Sequence, residues 1–332
     1  MFSRAQLQRF AADGGYKEDS YEKAALLVGV LDGIRAHPFL GSRLALKGGT
    51  AINLFVLDLP RLSVDIDLNY VGAANREDML EERPRVEQAL EQVFGRAGLA
   101  VKRVPTDHAG GKWRLSYQSA LGRTGTLEVD VNFMLRVPLW PLVHLDSRPL
   151  GGRTVAGVLV VERHELAAGK LAALMARSAS RDLFDARELL RRPELDPVLL
   201  RVAFVAYGGM NREDWREVTL DQVATTAADV DQQLVPMLRA DVRPARADLK
   251  AWTNTLVAET RELMKAVLPL RDREREFLDR LNGNGEVVPE LLTEDAVLRE
   301  ALRSHPGLAW KALNAKKYAG QLPRDPTSPG QR

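Results

Sequence analysis

The chain has 332 residues, enough for about two domains. Its 47 Lys and Arg nearly balance 45 Asp and Glu, and 45% of residues are hydrophobic, which excludes a globally basic nucleic-acid coat, an acidic tail protein and a wholly disordered chain. Cysteine is absent, which excludes disulfides, thiolate metal sites and a cysteine nucleophile.

The N-terminal residues are too polar for a signal peptide. No apolar run approaches the roughly 20 residues that a spanning helix needs. A cytoplasmic protein with no membrane segment is the expectation. Residues 21–36 place Leu26, Leu27, Val30 and Ile34 at helical spacing. A short apolar stretch, 44–46, runs into Lys47-Gly48-Gly49-Thr50 and then a helical stretch. Residues 62–71 alternate in period two, as a strand does. Residues 76–97 have a charged helical rhythm. Segments 101–104, 112–119, 125–135 and 155–161 read as further strands, punctuated by Gly and Pro. From 162 onward the chain reads as helices over 163–177, 182–191, 196–206, about 220–240, 246–268 and 271–281. The chain thus divides into an α/β half and a helical half. The Pro/Gly/Ser-rich end, 320–332, reads as a disordered tail.

The segment Arg61-Leu62-Ser63-Val64-Asp65-Ile66-Asp67-Leu68 carries the most chemistry. On a strand, Val64, Ile66 and Leu68 face one side and Asp65 and Asp67 the other. Adjacent carboxylates repel, and Asp is a poor strand former. A divalent cation offsets that cost, and all-oxygen ligands select Mg²⁺ or Mn²⁺. The competing reading is an edge strand whose acids simply face water. A second acidic strand follows, with Glu128, Asp130 and Asn132 on one face. Paired beside the first, it brings Asp130 to Asp65 and Asp67, a set suited to metal-assisted phosphoryl displacement.

Gly48 and Gly49 permit close backbone approach, and the N–H groups that open a helix bind phosphate. The turn is neither a Walker loop nor a dinucleotide fingerprint. Lys170 falls inside the apolar stripe defined by Leu166, Leu171 and Leu174, so it either snorkels to solvent or points into a polar cleft. Asp182 and Asp185 share a helix face. Asp182 can also serve as a cap, whereas Asp185 lies a full turn inside. Arg181 and Arg187 are candidates to pair with these acids or to bind a polyanion.

The ordered set Gly-Gly-Thr, Arg-Leu-Ser-Val-Asp-Ile-Asp-Leu, Glu-Leu-x-x-x-Lys-Leu-x-Ala-Leu and Arg-Asp-x-x-Asp resembles the AbiEii family of nucleotidyltransferase toxins, which includes the mycobacterial MenT toxins. The resemblance spans roughly residues 40 to 192. It implies a polymerase-β-like nucleotidyltransferase core with a mixed β-sheet, followed by an all-helical C-terminal domain. The implied divisions are an N-terminal helical segment 1–40, a core 41–161, and a helical domain 162–319 that completes the nucleotide site. The implied activity is transfer of a nucleoside monophosphate from an NTP to RNA, at the 3′ end of tRNA, by the toxin of a phage-defence toxin–antitoxin pair. A winged-helix antitoxin encoded nearby is the implied partner.

By the same resemblance, Gly48, Gly49 and Thr50 cradle phosphate. Ser63 and Asp65 match the motif serine and the catalytic metal-binding aspartate, and Asp67 the second acid. Lys170 matches the phosphate-binding lysine, Asp185 the later functional aspartate, and Asp130 the third strand acid of the wider superfamily. Lys47, Arg181 and Asp182 are further candidates. For an RNA acceptor, Arg181, Arg187, Arg191 and Arg192 are candidate basic contacts, with Lys311, Lys316 and Lys317 near Trp310 and Tyr318. Two rival readings stand beside this one: transfer to a protein hydroxyl, and a non-catalytic binding protein with a decayed core.

Overall fold

A computed structural model describes residues 2–104 and 109–318. The expected tail, 320–332, lies outside the described residues. Two helices open the chain, α1 (Arg4–Gly14) and α2 (Glu18–Ala36). Strand β1 (Leu44–Lys47) runs straight into the single turn α3 (Gly48–Ala51). Then come β2 (Asp65–Tyr70), α4 (Arg76–Arg96), β3 (Ala100–Arg103), β4 (Gly110–Gln118), β5 (Thr124–Asn132), β6 (Val143–Leu145) and β7 (Val158–Val160). The seven strands form one sheet in the order β3-β4-β5-β2-β1-β7-β6. It is mixed: β2 runs parallel to β5 and β1 to β7, and the remaining neighbours are antiparallel.

Period-two alternation sorts the side chains. Ile66, Leu68, Trp113, Leu115, Val129 and Val131 are buried on one face. Helices α2 and α4 cover that face, and the rings of Phe94 and Trp113 meet at 6.4 Å between them. The opposite face carries the acids. Their strands form because one side of each is apolar and fully packed, which outweighs the poor strand propensity of Asp.

The second half is helical, as expected. It comprises α5 (Arg163–Arg177), α6 (Ser180–Leu190), α7 (Pro197–Gly209), the single turn α8 (Ala227–Asp229), α9 (Leu249–Met264), α10 (Asp272–Asp279), α11 (Ala296–Ser304) and α12 (Pro306–Tyr318). Arg201 on α7 forks onto Glu274 on α10 at 2.6 and 2.8 Å and pins these helices together. The expected helix over about 220–240 is replaced by short 3-10 and π turns around α8. Pro236 removes a backbone donor there. The freed backbone returns to the α/β half instead. Leu62 N–H donates to Met237 at 2.9 Å, Arg239 N–H to Pro60 at 3.0 Å, and Arg61 bridges to Leu238.

Glu165 on α5 ties the halves together. It is 2% exposed and accepts from Tyr207 Oη at 2.9 Å and from the Leu139 N–H at 2.9 Å. Burial pushes its carboxyl up to about 7 despite those donors. A raised folded-state value means the neutral form is favoured on folding. Its contribution is fully present below the ordinary Glu range and is lost as pH rises towards 7. Glu165→Gln should therefore gain stability relative to the parent between about pH 5 and pH 8, on the order of 2 kcal/mol, read from denaturation midpoints across that range. A parallel pH dependence in both proteins would refute this.

Candidate functional site

The strand register builds the site. Asp67 on β2 stands level with Lys47 on β1 and with Asp130 on β5. Asp65 stands level with Glu128. Level residues on adjacent strands point to the same face, about 5 Å apart. The four acids are half-buried. Ser63 Oγ donates to Asp65 Oδ1 at 2.9 Å, and Thr50 Oγ1 donates to the Asp65 carbonyl at 2.5 Å. The turn and the acidic strand are thereby locked together.

Gly48 is required where it stands. Its φ is +71°, and a Cβ there would lie 2.2 Å from Asp67 Oδ2. The turn leaves backbone, not side chain, against the acids. Burial and the neighbouring Asp65 push the Asp67 carboxyl up to about 6. Lys47 faces the same group. Burial lowers its pKa, while Asp67 and Asp130 pull it back up.

Beneath this face lies a buried ionic network. Arg61, 2% exposed, forks onto Asp185, with Nε to Oδ1 at 2.7 Å and Nη2 to Oδ2. Lys170 Nζ lies 2.7 Å from Asp182 Oδ1 and 3.0 Å from Asp185 Oδ2. Asn53 donates to Asp185 Oδ1 and to the Gly49 carbonyl, both at 3.0 Å. Arg177 completes the set through Asp182, at 2.5 and 3.0 Å. Burial works against the charge of Asp182, yet Lys170 and Arg177 hold its carboxyl down at about 2. Burial likewise opposes Asp185, and Arg61 and Lys170 hold it below the usual carboxylate range.

The expected residues thus fall into two layers. Gly48, Gly49, Thr50, Ser63, Asp65, Asp67 and Asp130 line the strand face, with Lys47. Lys170, Asp182 and Asp185 form the ionic network beside it. Asp185 is 0% exposed, and Arg61, Asn53 and Lys170 engage both of its oxygens. Lys170 is 8% exposed, and its ammonium meets one oxygen of each of two carboxylates. The expected pairing of Arg181 and Arg187 with these acids is corrected. The partners are Arg61, Lys170 and Arg177, while Arg187 turns to Glu188 and Glu259.

A family model described as nucleotidyl transferase AbiEii toxin, type IV toxin–antitoxin system, matches residues 29–305. The chain belongs to the AbiEii family. It is therefore a nucleotidyltransferase and the toxin of a type IV system, which implies an NTP substrate and a cognate antitoxin. Among solved structures, this AbiEii protein is similar in fold to MenT4, a nucleotidyltransferase toxin from Mycobacterium tuberculosis H37Rv. The match has a TM-score of 0.59 at 20% identity and covers 91% of this chain and 98% of that one. A chain from the E. coli MS115-1 CdnC:HORMA-deltaN complex aligns over 92% of this chain and 97% of its own, at 15% identity, with a TM-score of 0.24. No curated protein matches the sequence.

The AbiEii acids fit a hard divalent cation. Among the described residues, no three His, Asp or Glu side chains are gathered tightly enough to cage a metal by themselves. Mg²⁺ is commonly held by one or two carboxylates with substrate phosphates completing its shell. Asp65 and Asp67, crowded enough to lift Asp67 to about 6, supply that donor set.

Sequence reasoning missed Arg61, Asn53 and Arg177. Arg177 carried a signal, since it follows Lys170 by seven residues and so shares its helix face. The basic candidates are unequal. Arg187 is buried against Phe184 and Trp252 and Arg191 pairs with Glu259, while Lys311 donates to the Asn211 carbonyl at 2.7 Å. Trp310 and Tyr318 are exposed. Among the described residues, no helix is long and apolar enough to cross a membrane.

Proposed function

We propose that this AbiEii toxin transfers the nucleoside monophosphate of an NTP to a hydroxyl at the 3′ end of RNA, tRNA being the acceptor. The carrying observation is the level placement of Asp67 and Asp130 beside Asp65, on the strand face that abuts the glycine turn. The N–H groups of the 48–50 turn and the buried cation of Lys170 would receive the triphosphate. Lys47, Arg181 and Asp182 are assigned supporting places around it. Asp65 and Asp67 would hold Mg²⁺ or Mn²⁺, which neutralises phosphate charge and polarises the α-phosphorus. The acceptor oxygen bonds to that phosphorus, the bond to pyrophosphate breaks, and Asp130 takes the hydroxyl proton. Asp185 acts through Arg61 and Lys170, which it orients. In this reading residues 41–161 carry the chemistry, residues 162–319 complete the nucleotide site, and residues 1–40 pack on the core. A winged-helix antitoxin partner and a cytoplasmic setting belong to the same proposal.

Incubation with each α-labelled NTP, total RNA and total protein tests it. Label is expected in RNA, at the 3′ end of tRNA, removable by ribonuclease and dependent on divalent cation. Label confined to protein would replace this reading with transfer to a protein hydroxyl.

A further inference from the structure

Nucleotidyl transfer to RNA, on which this inference rests, has a direction in this fold. An in-line displacement puts the attacking oxygen and the leaving pyrophosphate on opposite sides of the α-phosphorus. A triphosphate seated on the turn after β1 sends pyrophosphate out on the β1 side of the acids. The acceptor strand must then arrive from the other side, over β5, β4 and β3.

On that side the sheet changes sign. Lys112 on β4 is level with Asp130, and Arg114 is level with Glu128. Arg103, on the edge strand β3, pairs with Arg114 just past a register shift that follows Val101. Two rows of side chains therefore run outward on the acid-bearing face. One goes Lys47, Asp67, Asp130, Lys112, and the other Asp65, Glu128, Arg114, Arg103. Acids occupy the middle of the sheet and cations its rim. All three rim cations are exposed, and Arg103 has no ion-pair partner among the described residues. Glu128 alone holds Lys112, at 3.0 Å, and Arg114, at 3.3 Å. Such solvent-facing pairs are weak and open readily to a competing anion.

We propose that Lys112, Arg114 and Arg103 bind backbone phosphates of the acceptor strand and lead its 3′ end onto the carboxylates. Glu128 keeps Lys112 and Arg114 extended towards the site until a phosphate displaces it. The strip reads charge and not sequence, because phosphate contacts position a nucleic acid without identifying its bases.

A 5′-fluorescein RNA hairpin ending in single-stranded CCA serves as the probe, with fluorescence anisotropy followed between about 50 and 200 mM salt. The double variant Lys112→Gln/Arg114→Gln should bind about 10-fold or more weakly near 100 mM salt. Its log–log salt slope should fall by about 1.5, since each lost phosphate contact removes roughly 0.7–0.9. Adding Arg103→Gln should lower the slope further. Glu128→Gln should bind several-fold more tightly, and Lys250→Gln, an exposed lysine on α9, should match the parent. Thermal upshift by NTP should be the same in the double variant as in the parent, which shows that fold and nucleotide site are intact. Unchanged affinity and slope in the double variant, with RNA still labelled by the parent, would overturn the strip alone. A parent protein that neither binds nor labels RNA would overturn the RNA acceptor, and the strip with it.

Discussion

Asp65→Ala should abolish nucleotide transfer, by on the order of 10³-fold or more, and leave a folded protein. The expected split between activity and stability follows from where Asp65 sits. It is half-buried at the start of β2, and its side chain receives one hydrogen bond, from Ser63. Its backbone carbonyl, which accepts from Thr50, survives the substitution. Removing the carboxylate also relieves its repulsion of Asp67. The melting point without metal should hold or rise. The parent should gain thermal stability on addition of Mg²⁺ with NTP, by mass action on the folded state, and Asp65→Ala should gain none. Undiminished labelling by the variant would remove Asp65 from the site.

The second large effect has the opposite character. Asp185→Ala should cost about 3–5 kcal/mol of folding stability, because it strands buried cations. Arg61 loses its fork and Lys170 loses one of two anions, both at sites almost closed to water. Arg61→Ala should cost less, because Lys170 remains to face Asp185. The double variant Arg61→Met/Asp185→Leu should recover part of the loss, since an apolar pair of similar volume carries no desolvation penalty. Urea midpoints at constant slope measure all three. Asp185→Asn with parental stability and no activity would contradict this account and make Asp185 a group of the reaction itself.

These two outcomes separate layers that the sequence shows as one string of motifs. The strand acids were legible because a strand has only two faces. Alternation of Ile66 and Leu68 with Asp65 and Asp67 fixes which side each takes, and the same rule gives Asp130. Lys170 was legible as an anomaly in an apolar stripe. Its destination was not, because two outcomes, snorkelling and cleft, both fit the spacing. The structure turns it inward, onto Asp182 and Asp185. Arg61 could not be placed from sequence, since its partner lies on α6 and nothing local marks the pair. The 220–240 segment misled for a related reason. Its apolar residues suit a helix in isolation, but Pro236 and the open backbone at residues 60–62 decide otherwise. Helices α11 and α12 and the three-residue β6 went unread. Helix α1 falls within the helical segment expected over 1–40, but the reciprocal cap of Ser3 and Gln6 that marks its start went unread.

The return of residues 235–239 to the strand entry at residues 60–62 has a consequence for how the toxin comes into being. All four strand acids are translated before residue 131, but the backbone that holds the Arg61 loop is not. At roughly 5–20 residues per second, the ribosome reaches Leu238 several to twenty seconds after Asp130. Until then the nascent chain has ligands without a frame, and Arg61 without its bridge to Leu238. Truncated products that end in this interval carry the strand acids yet lack the contacts to residues 60–62, and should transfer no nucleotide. Toxicity should therefore appear only once residues 235–239 have been made and have docked on residues 60–62.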